Sequence, residues 1–378
     1  MPDLLFEQAA DLQRRGEFEE AERRYRRLAA RGRDDWPLHH NLGALAAAQS
    51  RYPAAERAFR TALQRNSHSA ASLSGLGNAL LYLQRPDEAE VVLRKAWSIQ
   101  PGNSTTAYRL SWALLQQGRY AEAWPWFEYR PGQETIPLDG VGYPKWEGQP
   151  VRGKSLLIWG EQGLGDEIQM IRFVRALREA GASRITVVVE PPNVPLFRDV
   201  GADLVLPRRG KLSIPRHDYW CPMMSLPYRL GIDRHTLRGG PYLPGPRASA
   251  TAPVGVVLSG NPAHPNDRHR SIRDRSLLTA IPDAILLEPG ADALENARSL
   301  SRLRALVTVD TMWAHLAGAM GLPCHILVAP DAADWRWEAC ASTTPWYESV
   351  RLYWQDVRGD WTAPLAAAAR AVKPASGP

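Results

Sequence analysis

Leu156-Leu157-Ile158-Trp159-Gly160-Glu161-Gln162-Gly163-Leu164-Gly165-Asp166-Glu167-Ile168 is the stretch on which the reading of this chain turns. It opens with an unbroken apolar run, the pattern of a strand buried on both faces. A glycine-rich loop follows. Beyond it, Ile168, Ile171, Val174 and Leu177 fall on one face of a helix expected from about Asp166 to Ala180. Glycine has no Cβ, so Gly163-Leu164-Gly165 is read as a loop where a substrate can approach the backbone. Asp166 then places a carboxylate at the start of the helix.

Downstream the alternation continues. Strands are expected at 185–189, 204–206, 255–258, 284–287, 305–309, 325–328 and 350–353, with a last helix from Trp361 to about Val372. Strands alternating with helices imply parallel sheets, and two such sets imply two Rossmann-like α/β halves, 153–250 and 251–372, followed by a tail at 373–378. Immediately upstream, 131–152 holds Pro131, Gly132, Pro137, Gly140, Gly142, Pro144, Gly148 and Pro150. Such a stretch reads as a linker without regular structure, with Trp146 as its anchor on a neighbouring surface.

Residues 1–130 follow a different rule. Ala21, Ala55, Ala89 and Ala123 recur every 34 residues, as do Tyr25, Phe59, Leu93 and Phe127. Gly43 and Gly77 keep the same spacing, with Ala9 and Ser111 at the equivalent places. A 34-residue unit with small residues where helices meet, and a bulky one four positions later, is a helix-turn-helix repeat. This region resembles the tetratricopeptide repeat (TPR) family. The resemblance implies an all-α solenoid that docks a protein partner or acceptor on its concave face.

Composition narrows the possibilities. The chain has 378 residues, 44% hydrophobic and 23% charged, as expected of a multidomain globular protein. No apolar run is long enough to span a bilayer, and the N-terminus lacks the pattern of a signal peptide. Cys221, Cys324 and Cys340 are too scattered for a disulfide or zinc framework, so core thiols in a reducing cytoplasm are expected. The net charge is +6, and residues 204–275 hold twelve Lys/Arg against four Asp/Glu. That excess suggests an anionic ligand. Nucleic acid is not indicated, because no basic helix or aromatic-basic signature accompanies the charge.

Two phosphate-binding patterns can be set against the loop. A dinucleotide fingerprint starting at Gly163 finds Gly165 but then Ile168 where a third glycine is needed. A P-loop fails because no Gly-Lys-Ser/Thr follows. The second half offers a better anion site. Its strand Ala305–Val309 runs into Asp310-Thr311 and a helix Met312–Met320, with His315 one turn further on. Ligands of parallel sheets lie at carboxyl strand ends, where helix N-termini present free N–H groups. The polar loop Ser259-Gly260-Asn261-Pro262-Ala263-His264-Pro265-Asn266-Asp267-Arg268-His269-Arg270-Ser271 adds arginines at such an end, and Arg270 suits bidentate phosphate contact.

Taken together, Gly163-Leu164-Gly165-Asp166, Gly260-Asn261-Pro262, Asn266-Asp267-Arg268, Arg270-Ser271-Ile272 and Val309-Asp310-Thr311 with His315–Ala319 resemble bacterial glycosyltransferases of the heptosyltransferase-like type. Asp334-Trp335-Arg336-Trp337 and Pro345-Trp346-Tyr347 are similar to the repeat-fused relatives of that family. The resemblance implies a B-type fold with the acceptor on the first half and a nucleotide-sugar on the second. It assigns Asp166 as catalytic base and Gly163, Leu164 and Gly165 as an acceptor loop. The donor would meet Asn261, Asn266, Arg268, Arg270, Asp310, Thr311 and His315, with Glu288 on the ribose. No cofactor or metal is implied, and the chain contains no Asp-x-Asp. Glu288-Pro289-Gly290 departs from the family's sequence at that position. The departure leaves an interaction scaffold with an inactive module as the competing expectation.

Overall fold

The computed structural model describes residues 4–133, 136, 142–249, 251–263, 267–281 and 283–373. The chain divides into two compact units, Met1–Arg130 and Pro131–Pro378.

The first unit is a TPR-like helical solenoid. Its described residues form α1 (Leu4–Arg14), α2 (Phe18–Ala30), α3 (Trp36–Ala48), α4 (Tyr52–Arg65), α5 (Ala70–Tyr82), α6 (Pro86–Ile99), α7 (Ser104–Gln116) and α8 (Tyr120–Phe127). The 34-residue periodicity is a packing rule. Ala21, Ala55, Ala89 and Ala123 are all fully buried. The Phe59 ring lies between α3 and α5: a Cβ on Gly43 would come within 2.8 Å of it, and one on Gly75 within 2.5 Å. Gly77 likewise makes room for Leu93. Three helix starts repeat the same interval, with Asp35, Ser69 and Asn103 each accepting a hydrogen bond from a backbone N–H three residues on.

An in-phase ladder of ion pairs also runs through the array, and sequence reading had missed it. Arg51 bonds Glu22 at 2.8 Å, Arg85 bonds Glu56 at 2.7 Å and Arg119 bonds Glu90 at 2.5 Å. Each joins one unit to its predecessor. The glutamates are 12–16% exposed, so the pairs are better shielded than ordinary surface bridges.

The second unit contains two all-parallel sheets. The first has β1 (Ser155–Trp159), β2 (Arg184–Val189), β3 (Leu204–Pro207) and β4 (Tyr219–Pro222) in the order β3-β2-β1-β4. The second has β5 (Val254–Val257), β6 (Ala284–Leu286), β7 (Ala305–Val309), β8 (Cys324–Val328) and β9 (Val350–Trp354) in the order β6-β5-β7-β8-β9. Helices α9 (Leu164–Met170), α10 (Arg172–Glu179), α11 (Leu226–Arg229), α12 (Asp267–Arg270), α13 (Ala293–Leu300), α14 (Met312–Met320) and α15 (Thr362–Ala371) connect or cover them. β1, β2, β5, β7 and β8 are buried along nearly their whole length, as strands sandwiched by helices must be. The core beneath the second sheet gathers Val256, Val307, Val309, Leu327 and the apolar face of α15.

Several expectations are corrected. The single helix from Asp166 to Ala180 is two, α9 and α10, broken at Ile171. The Arg172 guanidinium takes the Gln169 carbonyl at 2.9 Å, a group that an unbroken helix would offer to residue 173. Strand β4 was not anticipated. The stretch 131–152 is irregular among its described residues but is tied down, because Trp146 is 2% exposed and its backbone N–H donates to the Trp220 carbonyl in β4. Pro137 and Gly140 of that stretch, and the end of the tail, lie outside the described residues. Cys221 and Cys324 are core thiols, but Cys340 is exposed.

Candidate functional site

Helices α9 and α14 bring the two motif regions into one place. They cross so closely at Gly165 that an added Cβ would sit 2.6 Å from His315 Cδ2 and 3.3 Å from Met312 Cα. The glycine read as an opening for a substrate is therefore spent on helix packing. Gly163 is different: its φ is −96°, and an added Cβ would meet only the Asp166 carboxylate, at 3.3 Å. Leu164 begins α9, and its carbonyl accepts from Asn193 at 3.2 Å.

Asp166 sits in the first turn of α9 with both oxygens engaged. One accepts the Gly163 N–H at 2.8 Å, and the other meets the Arg336 guanidinium. Its side chain is 19% exposed. Burial raises its proton affinity above the usual carboxylate range, and the Arg336 charge works against that rise. Arg336 also bonds Asp334 at 2.8 Å and Gln169, with Trp335 covering its face. Its pairing with Asp166, 170 positions away in the chain, gave no sequence signal.

Across the site, Asp310 leaves β7 and is 8% exposed. Burial pushes its carboxyl up to about 6, and the Asp334 charge adds to the rise. The Trp337 indole N–H lies near enough to favour the ionised form, although it does not reach hydrogen-bond geometry. Thr311 caps α14, its hydroxyl accepting the Trp313 N–H at 3.3 Å. His315, one turn on, stacks on Trp337 with ring centroids 5.5 Å apart and shares a 2.9 Å hydrogen bond with the Tyr347 hydroxyl. Burial, reinforced by the charges of Arg336 and Arg172, holds its imidazole neutral. Gly318 belongs to the same packing, because a Cβ there would strike the Tyr347 ring.

Arg270 reaches this site from α12 and donates to the Asp310 carbonyl at 2.8 Å. Its Nε is buried without a hydrogen bond, though Asp267 lies 3.6 Å away. The remaining donor-side candidates do not converge. The exposed Asn261 closes a turn on the Ala263 N–H, Arg268 is exposed with its guanidinium on His269, and Glu288 is exposed beyond β6. Asn266 lies outside the described residues.

Two further groups went unnoticed in the sequence. Glu167 is fully buried behind Asp166, accepting from the Glu190 N–H and from Asn193, with Arg208 3.7 Å away. Burial pushes its carboxyl up to about 8. Arg172 lies over the rings of Tyr242 and Tyr347 and bonds the Trp346 carbonyl at 2.9 Å, linking α10 to the segments around the second sheet. A cleft of about 330 Å³, walled by Gly132, Ile136, Trp159, Glu161, Gln162 and Arg208, opens at the end of β1. It includes neither Asp166 nor Asp310, around which the 334–337 turn is packed instead.

The first unit thus belongs to the broad class of TPR-like helical repeats. Residues 5–121, less than a third of the chain, match the cilia and flagella-associated protein 70 middle TPR-like domain family. The chain is 31% identical over 125 residues to protein FlbA of Caulobacter vibrioides (strain ATCC 19089 / CIP 103742 / CB 15). That match spans 28% of this chain and only 21% of the relative's length. Among solved structures, MamA is 20% identical at a TM-score of 0.31, covering 33% of this chain and 73% of its own. YrrB, described as a TPR protein with an unusual peptide-binding site, is 20% identical at 0.32, covering 36% and 71%. Pseudomonas aeruginosa pilF is 22% identical at 0.32, covering 37% and 65%. Likeness of this depth carries no weight for function.

Proposed function

We propose that the second unit is a glycosyltransferase of two Rossmann-like halves in the B-type arrangement, and that the repeats dock its acceptor, a protein. The observation that supports this reading best is the convergence of Asp166 with Asp310, His315 and Arg270 around one buried turn, near the carboxyl ends of two parallel sheets. In the proposed inverting reaction, the Asp166 carboxylate accepts the acceptor hydroxyl's proton. The hydroxyl oxygen bonds to the anomeric carbon while that carbon's bond to the diphosphate breaks. Arg270 and the N–H groups opening α14 stabilise the departing nucleoside diphosphate. The lack of any Asp-x-Asp in the sequence is the ground for proposing that no metal bridges the donor.

One observation favours the second reading, a repeat scaffold with an inactive module: both Asp166 oxygens are already occupied. A thermal-shift series with ADP-, UDP-, GDP- and CMP-sugars separates the two, since a ligand of the folded state raises the melting temperature. A rise with one nucleotide that is lost in Arg270→Ala supports the enzyme. No rise with any supports the scaffold.

A further inference from the structure

The Asp334-Trp335-Arg336-Trp337 turn touches both halves of the site. Arg336 is 2% exposed and its guanidinium is shared among Asp166, Asp334 and Gln169, with Trp335 over its face. A planar fork committed on several edges has one orientation. Arg336 therefore fixes one Asp166 oxygen while the Gly163 N–H fixes the other. The next residue, Trp337, stacks on His315.

Resting on the reading of Asp166 as the base, we infer that Arg336 is its positioning residue, setting the direction the carboxylate faces. Among the described residues, the charged groups that act most on Asp166 are Arg336 and Asp334, both from the turn. From α9 come the neutral Gln169 and a Glu167 turned away toward Glu190 and Asn193, and from α14 comes His315, held neutral. Arg336 opposes the rise that burial and Asp334 impose. Removing it leaves both of those causes in place, so proton affinity must climb further.

The test is a titration of the full chain labelled with ¹³Cγ-aspartate, the Asp166 signal being assigned by its loss in Asp166→Asn. In Arg336→Gln the Asp166 midpoint rises by about one pH unit or more, and in Arg336→Lys by less. The acid limb of nucleotide-sugar turnover moves with it, kcat falling while the donor KM holds. An unchanged midpoint in both variants overturns the inference. If Arg336→Gln does not fold, Arg336→Lys carries the test: a smaller rise upholds the inference and no rise overturns it. Turnover with an unmoved midpoint sinks the Arg336 assignment alone. A moved midpoint in a wild-type protein that neither binds nor turns over any nucleotide-sugar upholds the Arg336–Asp166 coupling and retires the glycosyltransferase reading.

Discussion

Gly165→Ala and Gly163→Ala look alike on the page, yet the structure separates them. At Gly165 the new methyl would stand 2.6 Å from His315 Cδ2 and 3.3 Å from the Met312 backbone. Ordinary carbon contact begins near ~3.5–4 Å, so α9 and α14 must part by about an ångström. Overpacking of that kind costs roughly 1–3 kcal/mol. The better helix propensity of alanine returns at most ~1 kcal/mol, and less in a first turn. A net loss of about 1–2 kcal/mol follows, a fall of roughly 2–8 °C for a unit of this size. At Gly163 the methyl meets only a carboxylate oxygen at 3.3 Å, with φ at −96°, and the change stays within about 1 kcal/mol, the ordinary scale of an N-cap replacement. Scanning calorimetry is the assay. In a double-mutant cycle, Gly165→Ala and His315→Ala should together cost less than the sum of their separate losses, because the nearer clash is with that ring. Equal melting of Gly165→Ala and wild type, or a larger loss at Gly163, refutes the packing account of this loop.

Three other outcomes follow from the same geometry. Glu167, raised from 4.5 to about 8, keeps its proton in the folded state through a range where the unfolded chain has lost it. Its contribution to stability is complete below about pH 4.5 and drains away as pH climbs through 8, by roughly 5 kcal/mol at ~1.4 kcal/mol per pH unit. Glu167→Gln should flatten that slope in urea melts, and an unaltered slope would exclude Glu167 as its source. In the repeats, Arg85→Ala strips Glu56 of its cross-repeat partner and leaves Arg60 beside it. A double-mutant cycle with Glu56→Ala should return about 0.5–1 kcal/mol of coupling, weakening in salt; zero coupling would make the ladder ornamental. His315→Phe should keep the stack on Trp337 but lose the Tyr347 hydrogen bond, costing about 1 kcal/mol; calorimetry showing no loss would argue against that bond.

What could be read in advance depended on whether a signal was local or periodic. The 34-residue interval exposed the helical repeats because each small residue must face a bulky one in every unit. The Arg51–Arg85–Arg119 and Glu22–Glu56–Glu90 series are just as periodic, but spacing alone does not say which charges meet across units. Continuous apolar runs marked most strands. β4 escaped because Tyr219-Trp220-Cys221-Pro222 has none of the Val, Ile or Leu that mark the other strands. The α14 segment was legible to the residue, its end set by Gly321 at φ 72°. Arg336 was not legible as a partner of Asp166, nor Arg172 as a link to Trp346, because such pairings exist only after folding. Gly165 was noticed but read for the wrong neighbour: another helix, not a ligand.

The most direct test of the central claim is release of nucleoside diphosphate from a panel of nucleotide-sugars by the full chain, compared with Asp166→Asn. The account expects turnover of one donor class and a 10²–10⁴-fold loss in the variant, the ordinary range for a general base. Turnover unchanged in Asp166→Asn, or no turnover of any donor by wild type, would contradict it.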